Sequence, residues 1–242
     1  MKNMIKKIPF FKNLAKKLNT LNERNDWVKQ QIGSLAKGSS ILDAGCGSQR
    51  YKYLCDKLNY YAQDFGEYKK DKITIIGNDS RGLKNDDVYK YGNLDYIGDI
   101  WDIKEKNEKF DAILCTEVLE HIPYPIQTIT EFARLLKPGG ILILTAPSNC
   151  LRHMDPYFFS SGYSDRWYEK FLPLNSFKIE EIKHVGDYYR WLATEIGRTA
   201  MTHSIFSKII LLPAFLYYFN KKKTTSSVNT LVEGYHIRAR KI

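Results

Sequence analysis

Residues 40–47 read Ser40-Ile41-Leu42-Asp43-Ala44-Gly45-Cys46-Gly47. A short apolar run passes directly into a Gly-x-Gly turn. The run predicts a strand over Ser40–Ala44, covered on both faces as in a parallel sheet. Apolar residues at helical steps then predict a helix over Arg50–Leu58. Strand, glycine turn and helix together form a nucleotide cradle, because the glycines let the backbone approach a ligand beneath a helix N-terminus. A GxGxxG dinucleotide fingerprint would need glycine at position 50, where Arg50 stands. Asp43 lies two residues before Gly45. A carboxylate there would repel a pyrophosphate and suits a cationic or hydroxyl-rich ligand.

The pattern repeats outward from this point. Tyr60–Gln63 predicts a second strand, ended by Asp64 and Phe65. Leu94–Ile97 predicts a third, ended by Gly98-Asp99, and Phe110–Cys115 a fourth, ended by Thr116-Glu117. Ile126–Leu136 predicts a helix stopped by Lys137-Pro138-Gly139-Gly140, before a fifth strand over Ile141–Ala146. Strands and helices alternating at this spacing mean βαβ units and a parallel sheet. Phe177–Val185 and Gly234–Arg240 predict two more strands. Residues 4–18 and Asn22–Leu35 predict helices, and 66–92 a polar excursion with little beyond a short strand at Ile73–Ile76. Asp43, Asp64, Asp99 and Glu117 thus converge on the carboxyl edge of one sheet, where open α/β folds bind ligands. Asp64 is placed to accept ribose hydroxyls, and Asp99 an adenine amino group.

ILDAGCGSQRY, YYAQDFG, YIGDI, FDAILCTEVLEHI and LLKPGGILILTAPS resemble the successive motifs of class I S-adenosylmethionine-dependent methyltransferases, strongly over residues 39–147. The resemblance implies a Rossmann-like α/β fold: a seven-stranded, mostly parallel sheet, helices on both faces, the last strand antiparallel. It implies S-adenosylmethionine as cofactor and S-adenosylhomocysteine as product. The implied cofactor-binding set is Asp43, Ala44, Gly45, Cys46, Gly47, Asp64, Phe65, Asp99, Ile100, Thr116 and Glu117. The family's third glycine is Gln49 here. Residues 153–173 and 177–198 are also similar to bacterial methyltransferases associated with cell-surface glycan biosynthesis.

Methyl transfer from a sulfonium needs alignment of nucleophile, methyl and sulfur, and a general base for a hydroxyl acceptor. His121, His153 and Asp155 border the expected acceptor position and are the catalytic candidates. Arg152, Tyr157, Tyr163 and Arg166 are the substrate-binding candidates, since sugar rings stack on aromatic faces and arginines bond hydroxyls or phosphates. No metal-ligand spacing is apparent. The expected activity is O-methylation of a sugar, nucleotide-sugar or lipid-linked sugar acceptor. The alternatives are an RNA or small-molecule methyltransferase and a non-catalytic cofactor-binding scaffold.

The chain has 242 residues, 43% hydrophobic and 26% charged, enough for a real core. Its net charge of +10 suggests nucleic acid or an anionic membrane. Residues 1–38 hold nine Lys/Arg against two acids, and 219–242 hold six against one. The middle is slightly acidic, which disfavours nucleic acid and leaves the basic ends for peripheral contact with an anionic membrane. Residues 1–38 are expected to form a basic helical extension. Residues 39–242 form the expected methyltransferase domain, with an acceptor-side insertion at 148–176 and a helical insertion at 186–230. Four scattered cysteines and no signal-peptide pattern point to the cytoplasm, peripherally at the inner membrane surface.

Overall fold

The computed structural model describes residues 20–67 and 91–242. The expected helix at 4–18 and the short strand at Ile73–Ile76 lie outside the described residues. Two compact units are found among the described residues: 29–183 with 234–242, and 20–28 with 184–233.

The larger unit is built on a seven-stranded sheet. Its strands are β1 (Ser40–Ala44), β2 (Asn59–Asp64), β3 (Tyr96–Ile97), β4 (Phe110–Thr116), β5 (Leu136–Pro147), β6 (Phe177–Val185) and β7 (Gly234–Lys241). Their order is β3-β2-β1-β4-β5-β7-β6. The pairs β1–β2, β1–β4, β2–β3 and β4–β5 are parallel, and β5–β7 is antiparallel. This is the expected Rossmann-like sheet, with β7 the reversed strand. Its parallel registers pair Ala44 with Gln63, Asp64 with Ile97, and Thr116 with Thr145. The carboxyl ends of these strands therefore form one edge.

Leu42, Ile113, Leu114 and Leu144 in the central strands are wholly buried. Each such side chain contributes roughly 1.5–3 kcal/mol by leaving water. Helix α1 (Thr20–Gly33) buries Val28 and Ile32. Helix α2 (Pro125–Leu135) begins on a proline, whose missing N–H costs nothing in a first turn. It buries Ile129, Phe132 and Leu135 at helical steps. Glu131 on α2 accepts from the Ile103 N–H at 2.8 Å, and Arg134 donates to the Ile103 carbonyl at 2.9 Å. Both bonds hold the segment that follows β3. Helix α3 (Asp165–Leu174) is capped by Ser164.

Two local expectations change. Arg50–Leu58 forms only a single 3-10 turn, Lys52–Leu54. One turn suffices to bury Tyr51 and Cys55. The residues after it make the return to β2, where the Gly38 N–H donates to the Lys57 carbonyl at 2.8 Å. Pairing of β5 starts at Leu136 rather than Ile141. Residues 137–140 bulge from the ladder, because Leu136 pairs with Phe110 and Ile141 already pairs with Ala112.

The second unit holds α4 (Tyr188–Thr202), α5 (Ile205–Phe219) and α6 (Thr225–Thr230), which follow β6 in sequence and precede β7. Asp187 caps α4 and accepts from the Ser227 hydroxyl at 2.5 Å. The Glu233 N–H donates to the Val185 carbonyl at 2.8 Å. No helix among the described residues is long and apolar enough to cross a membrane.

Candidate functional site

The turn after β1 is held by the ends of its neighbours. Gly45 has φ +71°, and a Cβ there would lie 2.6 Å from Val118 Cγ2. Only glycine satisfies both constraints. The Gly45 N–H donates to Gln63 Oε1 at 3.1 Å, and Gln63 Nε2 donates to the Gly98 carbonyl at 2.7 Å. One side chain thus joins the turns after β1 and β3. Asp64 accepts from the Gly47 N–H at 2.9 Å and the Gly66 N–H at 3.1 Å. Burial raises its carboxyl above the ordinary value, opposed by those N–H donors.

Gln49, at the family's third glycine, has φ +56°. Its Nε2 donates to the Asn93 carbonyl at 2.7 Å. A Cβ on Gly92 would approach that amide to 2.8 Å. The positive φ is retained without glycine, supported by a side-chain hydrogen bond.

These turns enclose a cavity of about 220 Å³. Of the residues expected from sequence, Gly45, Gly47, Asp64, Phe65, Asp99, Ile100, Glu117, His121 and Tyr157 line it. Sequence reasoning missed Gln63, Trp101, Val118, Ile122, Met154 and Phe159, which also line it. Trp101 and Ile122 directly follow residues that were singled out, so the signal was adjacency. Met154 and Phe159 come from the loop after β5, where sequence does not say which side chains face inward.

Asp43, Ala44, Cys46 and Thr116 lie outside the described cavity wall. Asp43 is buried behind it and accepts from the Tyr60 hydroxyl at 2.7 Å. Burial pushes its carboxyl up to about 7, against the Tyr60 bond and helped by the charge of Asp64. Arg152, His153, Asp155, Tyr163 and Arg166 are also absent from the described wall. Arg152 pairs with the buried Asp155 at 2.9 Å. Tyr163 packs on Trp167, their ring centroids 4.7 Å apart, and Arg166 pairs with Glu169 along α3.

His121 ends a short 3-10 turn, Leu119–His121, after β4. Its Nδ1 lies 2.5 Å from the Tyr157 carbonyl. A carbonyl only accepts, so Nδ1 carries the proton in the neutral ring and Nε2 keeps a lone pair. Burial lowers the imidazole to about 4, although the Tyr157 carbonyl acts the other way. The ring is therefore neutral at pH 7. His153 packs edge-on against it, with centroids 4.8 Å apart. Glu120, His121 and His153 bring potential ligand atoms within 4.8 Å of one another, a grouping that their sequence positions do not reveal. The Glu120 carbonyl accepts from the Phe159 and Ser160 N–H groups at 2.9 and 3.1 Å, which latches the loop after β5 to this turn.

A family model described as a methyltransferase domain matches residues 13–195. The chain belongs to the methyltransferase domain family. A ubiquinone biosynthesis O-methyltransferase of Dechloromonas aromatica is 33% identical over 148 residues, covering 60% of this chain and 58% of that protein. One from Coxiella burnetii is 27% identical over 178 residues, covering 73% and 70%. The chain spans less than two thirds of the first relative's length. Among solved structures, the [4+2]-cyclase SpnF shares the fold at TM-score 0.52 and 19% identity, covering 89% of this chain and 80% of that one. Haemonchus contortus phosphoethanolamine N-methyltransferase 2, solved with S-adenosyl-L-methionine, shares it at TM-score 0.52 and 14% identity, covering 91% and 52%. A cyclase and an N-methyltransferase on one scaffold show that the sheet alone does not set the reaction.

S-adenosylmethionine is the cofactor implied for this methyltransferase domain, and the residues present fit it. Asp64 and Glu117 put carboxylates in the cavity wall, which suits a cationic sulfonium compound. Ile100, Trp101 and Val118 supply apolar surface of the kind an adenine ring needs.

Proposed function

We propose that this chain catalyses transfer of a methyl group from S-adenosylmethionine to a hydroxyl oxygen. The observation that carries this reading is the neutral His121 in the wall of a cavity that also holds strand-end carboxylates. When bound, the cofactor would supply an activated methyl group on positively charged sulfur and leave as neutral S-adenosylhomocysteine. Asp64 holds its ribose, and Asp99 with Ile100 its adenine. Asp43 braces the wall from behind by accepting the Tyr60 hydroxyl bond. Phe65, Tyr157 and Phe159 exclude water and orient the acceptor. His121 takes the hydroxyl proton as the new O–C bond forms.

The acceptor we favour is a ring hydroxyl on an apolar, phenol-type molecule. Met154, Ile122 and Phe159 offer an apolar wall, and the relatives above are named for O-methylation in ubiquinone biosynthesis. The second reading is a glycan hydroxyl. It is favoured by Tyr157 and the exposed Phe159, whose faces suit stacking of a sugar ring. We place the reaction in the cytoplasm, where free Cys46, Cys55, Cys115 and Cys150 stay reduced.

The test is release of S-adenosylhomocysteine with a catechol, a prenylated catechol, a nucleotide-linked hexose and a short RNA. Turnover on the catechols alone supports the phenol reading, and on the hexose alone the glycan reading. Cofactor binding without turnover on any of them would make the chain a scaffold and sink the proposal.

A further inference from the structure

We propose that α5 is a docking helix that lies flat on an anionic lipid bilayer. The inference does not depend on which acceptor is methylated. Helix α5 is apolar nearly all round, broken only by Ser207, Lys208 and the hydroxyl tips of Tyr217 and Tyr218. A water-soluble helix that covers a core has one apolar side and one polar side. Here one side is used within the helical unit. Phe215 is buried, with its ring edge 3.3 Å from where a Cβ on Gly197 of α4 would lie. Tyr218 stacks on Tyr189 of α4.

The other side is equally apolar and faces out. Ile205 is 72% exposed, Phe206 68%, Ile209 64%, Ile210 57% and Leu212 50%. Steps of three and four residues along this set form one continuous stripe. An uninterrupted apolar stripe of this kind marks an interaction surface.

Charge decides the partner. No acidic residue occurs between Glu195 and Glu233. Lys208 lies within the helix, and Lys221, Lys222 and Lys223 follow its end, all exposed. Lys221 sits over the Tyr217 ring at 4.5 Å, so its alkyl stem follows an aromatic surface while its charge stays at the edge. A second copy of this chain would bring like-charged lysines together. An anionic bilayer offers acyl chains to the stripe and headgroup phosphates to the lysines. The helix is about 22 Å long at 1.5 Å per residue. That is shorter than a hydrocarbon core of about 30 Å, so the helix lies in the surface.

The experiment is co-sedimentation of the full chain with vesicles of phosphatidylcholine alone or mixed with phosphatidylglycerol. Binding is expected to the mixed vesicles and to fall several-fold between about 0.05 and 0.5 M salt. I209S/I210S should lower binding at least tenfold while circular dichroism and cofactor affinity stay unchanged. A triple Gln variant of Lys221, Lys222 and Lys223 should weaken binding and flatten its salt dependence. No binding of the full chain to mixed vesicles overturns the proposal, as does undiminished binding of I209S/I210S. A dimer in light scattering that I209S/I210S dissociates, with no vesicle binding, assigns the stripe to a second copy instead.

Discussion

The Gly47 N–H donates to the Asp64 carboxylate at 2.9 Å, so the turn after β1 and the acid that ends β2 form one hydrogen-bonded unit. Asp64 holds the glycine turn, and under the proposed function it also accepts from the cofactor ribose. Asp64→Asn keeps the shape but turns an amide donor toward the N–H of Gly47 or Gly66. Hydrogen bonds to a charged group contribute roughly 1.5–3 kcal/mol each. S-adenosylmethionine affinity should fall at least tenfold by calorimetry. Unchanged affinity would remove Asp64 from the cofactor site.

Gly45→Ala meets two penalties, a left-handed backbone and the Val118 methyls. Strain of this kind costs roughly 1–3 kcal/mol, and the clash adds to it. The melting temperature should drop. Adding Val118→Ala should recover part of the loss, never all of it, because φ stays at +71°. A double variant no better than Gly45→Ala would mean that contact with Val118 is not the obstacle.

His121 is held neutral down to about pH 4, whereas an ordinary histidine titrates near 6.5. A base that is already unprotonated keeps working in mild acid. The acid limb of kcat/KM should therefore lie well below pH 6. His121→Gln should lower kcat by roughly 10²–10⁴ and remove that limb. A full rate in His121→Gln would exclude it as the base. The same lowered value makes stability fall as pH drops from 6.5 toward 4, where the unfolded chain binds the proton first.

Asp43 works in the opposite direction. Its folded carboxyl titrates near 7, and its ordinary value is 3.8. Between those values the folded state holds more protons, so the stability of the unliganded chain should decline as pH rises from about 4 to 7. Asp43→Asn should flatten that part of a melting-temperature profile. A slope unchanged in Asp43→Asn would point to other groups.

The strand ends were legible because buried parallel strands leave continuous apolar runs, each stopped by a turn residue. Asp64, Asp99 and Glu117 stood at those stops and line the cavity. Asp43 lies outside the described cavity wall, and sequence does not distinguish a wall residue from one tucked behind a glycine turn. Arg50–Leu58 shows the limit of periodicity. Its apolar spacing fits a helix, yet the short path from β1 back to β2 allows only one turn. Tyr163 and Arg166 belong to the packing and surface of α3, and nothing local marks them apart from Tyr157. His121 and His153 are far apart in sequence, and the bonds that tie the loop after β5 to Glu120 and to His121 itself explain their contact.

The hydrogen bond between Glu233 and Val185 also bears on how such chains diversify. The chain leaves β6 at Val185 for its helical excursion, and this bond closes the excursion at its base. A closure of this kind lets the helices between those residues change in length or sequence while the strand ends stay together. Selection can therefore remodel the helices as a cassette while the cofactor edge stays constant. A swap of residues 186–232 between relatives is the engineering form of the same freedom.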